Sequence, residues 1–341
     1  MLVVRAPVRI SFGGGGTDLA AYYMRFGGMV VSAAITRYCY VVVNEQEDSC
    51  IRISSADYHA WETYPRGEVP AVEPPLALPK AAIAWYSEHG FLQGGLDLFL
   101  ASEVPPGTGL GSSSAMAVAL IQALAAYTGQ SMTAAEVAEL ACHLEIERLL
   151  MPIGKQDQYA SALGGLNTIE FSAAGVRVTP LSLPADVISI LSARLMLFSS
   201  GQVRNSADIL GQQKANTEQG TKTVATLHRI KTLAGEMREA LLAGELDHFG
   251  HLLDLSWREK KSLAGNVSSE SIDQWYEAAH EAGAPGGKIT GAGGGGFLLL
   301  YCPQPRQEAV RTALARFGLR EMTFSFDFKG PQVSIDPGRP R

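Results

Sequence analysis

The stretch PPGTGLGSSSAMAVAL, Pro105–Leu120, sets three alternating glycines directly before three serines and an Ala- and Leu-rich helical run. Glycines let a loop present successive backbone N–H groups to a ligand. A helix start adds unpaired donors and the positive end of its dipole, and serine hydroxyls add hydrogen bonds or a metal ligand. Phosphate is the natural occupant of such a corner. The plainer alternative is a tight strand-to-helix turn capped by Ser112.

Other phosphate loops fail on spacing. Gly107, Gly109 and Gly111 do not make the G-x-G-x-x-G of dinucleotide binders, and no Lys follows as a Walker loop requires. Gly287-Lys288 approaches a Walker ending but is followed by Ile289, and the protein-kinase signatures are absent.

Working outward, β-branched and apolar residues predict strands over Val3 to Phe12, Met29 to Val43 and Gly95 to Ser102. Helices are expected from Ser112 to Tyr127 and from Thr133 to Leu150, the second opened by a Thr133/Glu136 capping box. Five prolines between residues 64 and 79 mark a loop. Beyond about residue 185 the pattern predicts a strand over Val187 to Ser199, three helical stretches near 204 to 262, and a helix from Glu270 to Ala282. The glycine turn into FLLLYC, a helix over Gln307 to Phe317 and a strand over Glu321 to Phe328 complete the order, and the tail beyond reads as loosely tied. The fold class is α+β, with two domains, 1–185 and 186–341.

Glycine is the compositional outlier, at 36 of 341 residues against a usual share of about 7%. Fourteen of them fall in three windows: 13–16, 107–111 and 286–296. In the first window, APVRISFGGGGTDL, a single Arg9 stands inside a strand, and Thr17-Asp18 follow the glycines. Arg9 reads as either a functional cation or a snorkelling edge residue, and Asp18 as either a ligand group or an N-cap. The third window, KITGAGGGGFLLLY, reads as a close-approach turn or a bulged hairpin. Glu145 and Glu147 near a helix end suit a solvated face, whereas Asp157, between two glutamines in MPIGKQDQYAS, suits a buried functional acid.

The 34 acids against 28 Lys and Arg argue against a nucleic-acid partner, and no apolar run approaches the roughly 18 to 20 residues that span a bilayer. Cys39, Cys50, Cys142 and Cys302 lack metal-ligand spacing. The start MLVVRAPVRI lacks a signal-peptide pattern, so reduced thiols and a cytoplasmic location are expected. A homo-oligomer is compatible with the sequence.

Together the motifs resemble the GHMP kinases, through the AP-x-R segment, the P-x-G-x-G-L-G-S-S loop and the G-A-G-G-G-G turn, in order over nearly the whole chain. Within that family, APVRISFGGGGTDLAAYY, IGKQDQYASALGG and KITGAGGGGF look most like bacterial D-glycero-D-manno-heptose 7-phosphate kinases. The resemblance implies a ribosomal-S5-like amino-terminal domain, a ferredoxin-like carboxy-terminal domain and an active site between them. It implies ATP and Mg2+, with Pro106, Gly107, Thr108, Gly109, Leu110, Gly111, Ser112, Ser113 and Ser114 around the ATP phosphates and Ser113 with Glu145 on the metal. Glu145 lies twelve residues before Asp157, the interval between metal-binding glutamate and catalytic aspartate in galactokinase-like members.

By the same resemblance Asp157 is the base or acceptor for the attacking sugar hydroxyl, and Arg9 stabilises transferred charge. Gly15, Gly16, Thr17 and Asp18 lie on the sugar, with Gly293 and Gly294 in the closing turn. Galactokinase has a Glu-His pair where Gly15 and Gly16 stand, which disfavours galactose. A phosphorylated sugar calls for a further cation: Arg204 is preferred, opening a helix beside Asn205 and Ser206, while Lys260 and Lys261 read as a solvated helix face. The implied reaction is phosphorylation of the C1 hydroxyl of a heptose 7-phosphate for nucleotide-activated heptose and surface polysaccharide. The alternatives are another sugar-1-kinase, fucokinase-like or acting on a different hexose or heptose, and a non-catalytic ATP or sugar sensor.

Overall fold

In the computed structural model, which describes all residues except 47, 49, 66, 67, 69, 203–205 and 336–341, two sheets carry the chain. Strand β1 (Leu2–Gly13) runs antiparallel to the long β2 (Gly28–Gln46), with helix α1 (Ala20–Phe26) in the connection. Hairpin β3 (Ile51–Ser55) and β4 (Ala60–Tyr64) is followed by α2 (Ala77–Glu88), whose Pro79 sits in the first turn, where a missing N–H costs nothing. Then come β5 (Gly95–Ser102), α3 (Ser112–Thr128), α4 (Ala134–Cys142), α5 (Gln156–Leu163), β6 (Leu166–Ser172) and β7 (Gly175–Pro180). The first sheet has the path β12-β1-β2-β5-β3-β4, with β6 and β7 continuing from the other half of β2; only β3 and β5 pair in parallel.

The second sheet follows α6 (Ala185–Arg194). It contains β8 (Leu195–Ser199), then, after α7 (Ser206–Gln219), α8 (Thr221–Ala243), α9 (Leu246–Lys261) and α10 (Glu270–Glu281), the hairpin β9 (Gly286–Ile289) and β10 (Phe297–Tyr301). Helix α11 (Gln307–Ala315) leads to the short β11 (Arg320–Glu321), giving the order β11-β8-β10-β9. The last strand, β12 (Gln332–Ile335), pairs with β1.

The unbroken apolar run of β10 is explained by burial on both faces. Leu298 and Leu300 join Met196, Phe198, Trp275 and Val310 in one core. Phe297, Leu299 and Tyr301 join Leu197, Met237, Phe249 and the β1 residues Val8, Ile10 and Phe12 in another, which therefore spans both sheets. Phe12 meets Phe249 edge to face, with ring centroids 5.3 Å apart.

Several expectations need correction. Residues 187–194 are helix, although Val187, Ile188 and Ile190 are β-branched: Leu191 is the buried residue of α6 while Ile190 is exposed, a helical face. The strand expected over 321–328 ends at Glu321; Met322 still bonds to Leu197, then the chain leaves, and Phe326 bridges to Ile35 in the first sheet. The tail is tied down by β12, and buried Asp327 accepts the N–H groups of Lys329 and Gly330 and the Tyr38 hydroxyl. The chain leaves the first sheet after β7 and enters the second at β8, with α6 between them, while the last strand returns to the first. The Thr133/Glu136 capping box forms, but the helix it opens turns π-helical over His143–Arg148.

Candidate active site

The glycine-serine stretch joins β5 to α3. Gly107, Gly109 and Gly111 have φ of 76°, 83° and 73°, so alternate residues occupy the left-handed region, and the loop turns its backbone toward the cleft. No side chain caps α3, which excludes the reading of Ser112 as a simple N-cap. Ser112, Ser113 and Ser114, its first turn, line the cleft instead. A Cβ on Gly291 would lie 2.5 Å from the Gly109 Cα, and one on Gly296 would lie 2.2 Å from the Thr108 carbonyl oxygen. The second and third glycine windows are therefore two backbones in contact, and the turn is more than a hairpin bulge.

Arg9 stands on β1 between two register shifts, after Pro7 and after Ser11, local kinks that re-aim a side chain. It is 3% exposed and does not snorkel. Its Nε and Nη2 each donate to the Asp157 carboxylate at 2.7 Å, and its Nη1 donates to the Gly109 carbonyl at 2.7 Å. One guanidinium thus locks the acid to the phosphate loop in a fork geometry. Asp157 lies in the first turn of α5, beside Gly111, where a Cβ would come within 3.1 Å of Oδ2.

Asp18 does not cap α1. Its Oδ1 accepts the Gly16 N–H at 2.8 Å and its Oδ2 accepts from Gln156 Nε2 at 3.0 Å. Burial first, and the neighbouring Asp157 charge second, push its pKa up. Three buried polar atoms around the bare Gly15-Gly16 backbone have no hydrogen-bond partner among the described residues: Ser11 Oγ, Gln156 Oε1 and Gln213 Nε2. A Cβ on Gly16 would fall 2.3 Å from that Gln213 nitrogen.

The π-helical turn carries Glu145 inward, fully buried, as π-bulges often do at functional sites. Ser113 Oγ donates to Glu145 Oε1 at 2.5 Å and Gln158 Nε2 donates to Oε2 at 2.7 Å. Desolvation outweighs these bonds and pushes the carboxyl up to about 7. Glu147 points outward to His143. Among the described residues no cluster of three or more His, Cys, Asp or Glu could hold a metal alone. A hard cation here would have Ser113 and Glu145 and need ligand oxygens for the rest, the usual arrangement for magnesium.

The second lobe contributes Leu210 and Gln213 from α7, Lys260 from α9, and Gly291 and Ala292 from the turn. Gly293 and Gly294, expected on the substrate, instead pack on Val267: a Gly293 Cβ would lie 2.6 Å from its carbonyl oxygen, to which the Gly294 N–H donates at 2.7 Å. Thr17 is fully buried, its hydroxyl bonded to the Gly14 and Met29 backbones, so it shapes the loop rather than lining the cleft. Leu110 points into the core, its carbonyl holding the Arg9 N–H, and the Thr108 hydroxyl bonds to Pro105. Arg204 lies outside the described residues. Lys261 pairs with Asp273 on the surface as expected, whereas Lys260 is buried, a reversal of its solvated reading. Sequence reasoning missed Ser11, Gln156 and Gln213, which carry no spacing signal.

The cleft encloses about 890 Å³, including its open mouth. A more apolar cavity adjoins it, walled by Pro74–Pro79, Leu100, Met116 and Leu149, and shares Ser112, Ser113 and Met151 with it. Pro106 lines this second cavity.

Residues 77–165 match the family described as GHMP kinases N terminal domain, and residues 237–319 match GHMP kinases C terminal. The chain is 32% identical to the D-glycero-alpha-D-manno-heptose 7-phosphate kinase of Campylobacter jejuni, covering 96% of each. It is 28% identical over 90% of its length to the L-fucokinase/L-fucose-1-P guanylyltransferase of Bacteroides fragilis, covering 35% of that longer protein. The crystal structure of a D-glycero-D-manno-heptose 1-phosphate kinase from Bacteroides thetaiotaomicron superposes with a TM-score of 0.84 at 25% identity, covering 98% of this chain and 99% of that one. A two-lobed α+β fold, a glycine loop locked to an Arg-Asp pair, and a relative matched nearly end to end lead to one conclusion: the chain belongs to the GHMP kinase family of ATP-dependent kinases.

Proposed function

We propose that the protein transfers the γ-phosphoryl group of ATP to the C1 hydroxyl of D-glycero-D-manno-heptose 7-phosphate, giving the 1,7-bisphosphate and ADP for nucleotide-activated heptose and surface polysaccharide synthesis. The observation that carries a sugar acceptor is the cluster of Ser11, Gln156 and Gln213 around Asp18. Buried donors and acceptors left unpaired are costly, at about 1–3 kcal/mol each, and hydroxyls, which both donate and accept, complete all three. The heptose assignment rests on the similarity to the Campylobacter jejuni enzyme.

In this reading Gly107 to Ser114 cradle the triphosphate, and the adjoining apolar cavity takes the base. Asp157 accepts the proton of the attacking hydroxyl, and Arg9 orients that carboxylate while facing the phosphoryl group. Ser113 and Glu145 hold Mg2+, which supplies charge neutralisation to the phosphate oxygens when bound. The reaction belongs in the cytoplasm, where ATP is supplied. Steady-state rates over a panel of phosphorylated and free heptoses, fucose and other hexoses test the assignment. A preference of more than about tenfold for an unphosphorylated sugar, some 1.4 kcal/mol, would sink the 7-phosphate claim and favour a fucokinase-like enzyme.

A further inference from the structure

Lys260 lies in the last turn of α9 inside the cleft, 6% exposed, while its sequence neighbour Lys261 faces solvent. An ammonium carries three donors. Lys260 Nζ donates to one carbonyl, that of Gly291, and among the described residues no carboxylate forms an ion pair with it. A buried cation with donors to spare is costly unless an anion completes it. Burial and the Arg9 charge hold Lys260 down at about 8, while Asp18 and Asp157 pull the other way, so it lies within electrostatic reach of both acids.

Its anchor places it at one end of the cleft. Gly291 is the residue laid against Gly109, and Gly109 is the residue whose carbonyl Arg9 grips. Lys260 and Arg9 therefore hold the two sides of a single backbone contact, one from each lobe, with Asp157 beside them. Gly109 belongs to the glycine loop and Asp157 is the acid that Arg9 forks, which puts this contact at the transfer end.

Resting on the sugar-kinase reading above, we propose that Lys260 is a second catalytic cation, contacting the nonbridging oxygens of the phosphoryl group in transit from the second lobe. In the step, the acceptor hydroxyl oxygen forms its bond to the γ-phosphorus. The bond from that phosphorus to the bridging oxygen breaks, its electron pair leaving on ADP, and the hydroxyl proton passes to Asp157. Lys260 keeps its three protons throughout and contributes charge and hydrogen bonds only.

The test compares Lys260→Gln, which retains a donor for Gly291, with Lys260→Arg and with Lys261→Met as the surface control, on a phosphorylated sugar and on its unphosphorylated counterpart. The expected result is a kcat loss of about 10²-fold or more for Lys260→Gln, by the same factor on both acceptors, with ATP affinity by calorimetry nearly unchanged. Lys260→Arg recovers part of the rate, and Lys261→Met matches wild type. A loss confined to the KM of the phosphorylated acceptor would overturn the proposal and make Lys260 a reader of the distal phosphate. An undiminished kcat in Lys260→Gln would overturn it outright. Wild-type protein inactive on every sugar would overturn the sugar-kinase reading and this inference together.

Discussion

Asp157 and Asp18 share a cleft, and Gln156 links them, since it neighbours one in sequence and bonds to the other. Asp157 is forked by Arg9 and tied through it to the phosphate loop. Asp18 is 3% exposed and held by amide donors, with hydroxyl and amide groups around it that have no partner among the described residues. In the proposed reading the transfer end is a fixed set of charges, whereas the sugar end is a polar cup that a ligand completes. Preorganisation serves chemistry at the first, and deferred hydrogen bonding serves selection at the second.

Four changes would break or sharpen that contrast. Asp157→Asn removes the proposed proton acceptor, and kcat should fall by about 10² or more while ATP binding persists; steady-state kinetics with nucleotide titration checks this. Arg9→Lys keeps the charge but loses the fork, so kcat should drop by about 10 to 10² with a smaller change in KM; rates equal to wild type would show that the charge alone suffices. Asp18→Asn should act mainly on the acceptor, raising its KM by about tenfold with a lesser effect on kcat. A pure kcat loss there would erase the distinction between the two ends.

The smallest effect is in stability against pH. Asp18, raised above 3.8, and Glu145, raised from 4.5 to about 7, contribute stability that is fully present below their unfolded values and is lost as pH rises through the folded ones. The ligand-free protein should therefore lose thermal stability between about pH 4.5 and 7 on Glu145's account. Glu145→Gln should flatten that slope, as calorimetric melting across the range would show. Asp18→Asn should melt higher than wild type at neutral pH and equal to it below pH 3.8.

Much of the transfer end was legible. Glycine in three windows, Arg9 inside an apolar strand and the Glu145-to-Asp157 interval are signals of composition and spacing, and the structure brings those residues together. β5 and the start of α3 fall at the expected residues because period-two alternation and an Ala/Leu-rich run are strong local codes. Contacts made only by tertiary packing were illegible at both ends. Lys260 and Lys261 are about 100° apart on one helix, and nothing local states which of them meets the cleft. Gln213 matters only because α7 lies across Gly16, a tertiary fact. Residues 187–194 misled because β-branching was read as strand where a single buried Leu191 sets a helical face.

The core that runs across both sheets has a further consequence. The chain passes from one lobe to the other through α6 and back between Met322 and Ser325, and between these crossings Phe12, Leu197, Met237, Phe249 and Leu299 are packed into one interior. Prising the lobes apart like a jaw would wet those side chains, at about 1.5–3 kcal/mol each and on the order of 10 kcal/mol together. With about 1.4 kcal/mol per factor of ten, a gaping state is populated below roughly one molecule in a million. In the proposed reading, entry of sugar and nucleotide therefore falls to the rim, to α7 beside the cleft and the Pro74–Pro79 turn beside the adjoining apolar cavity.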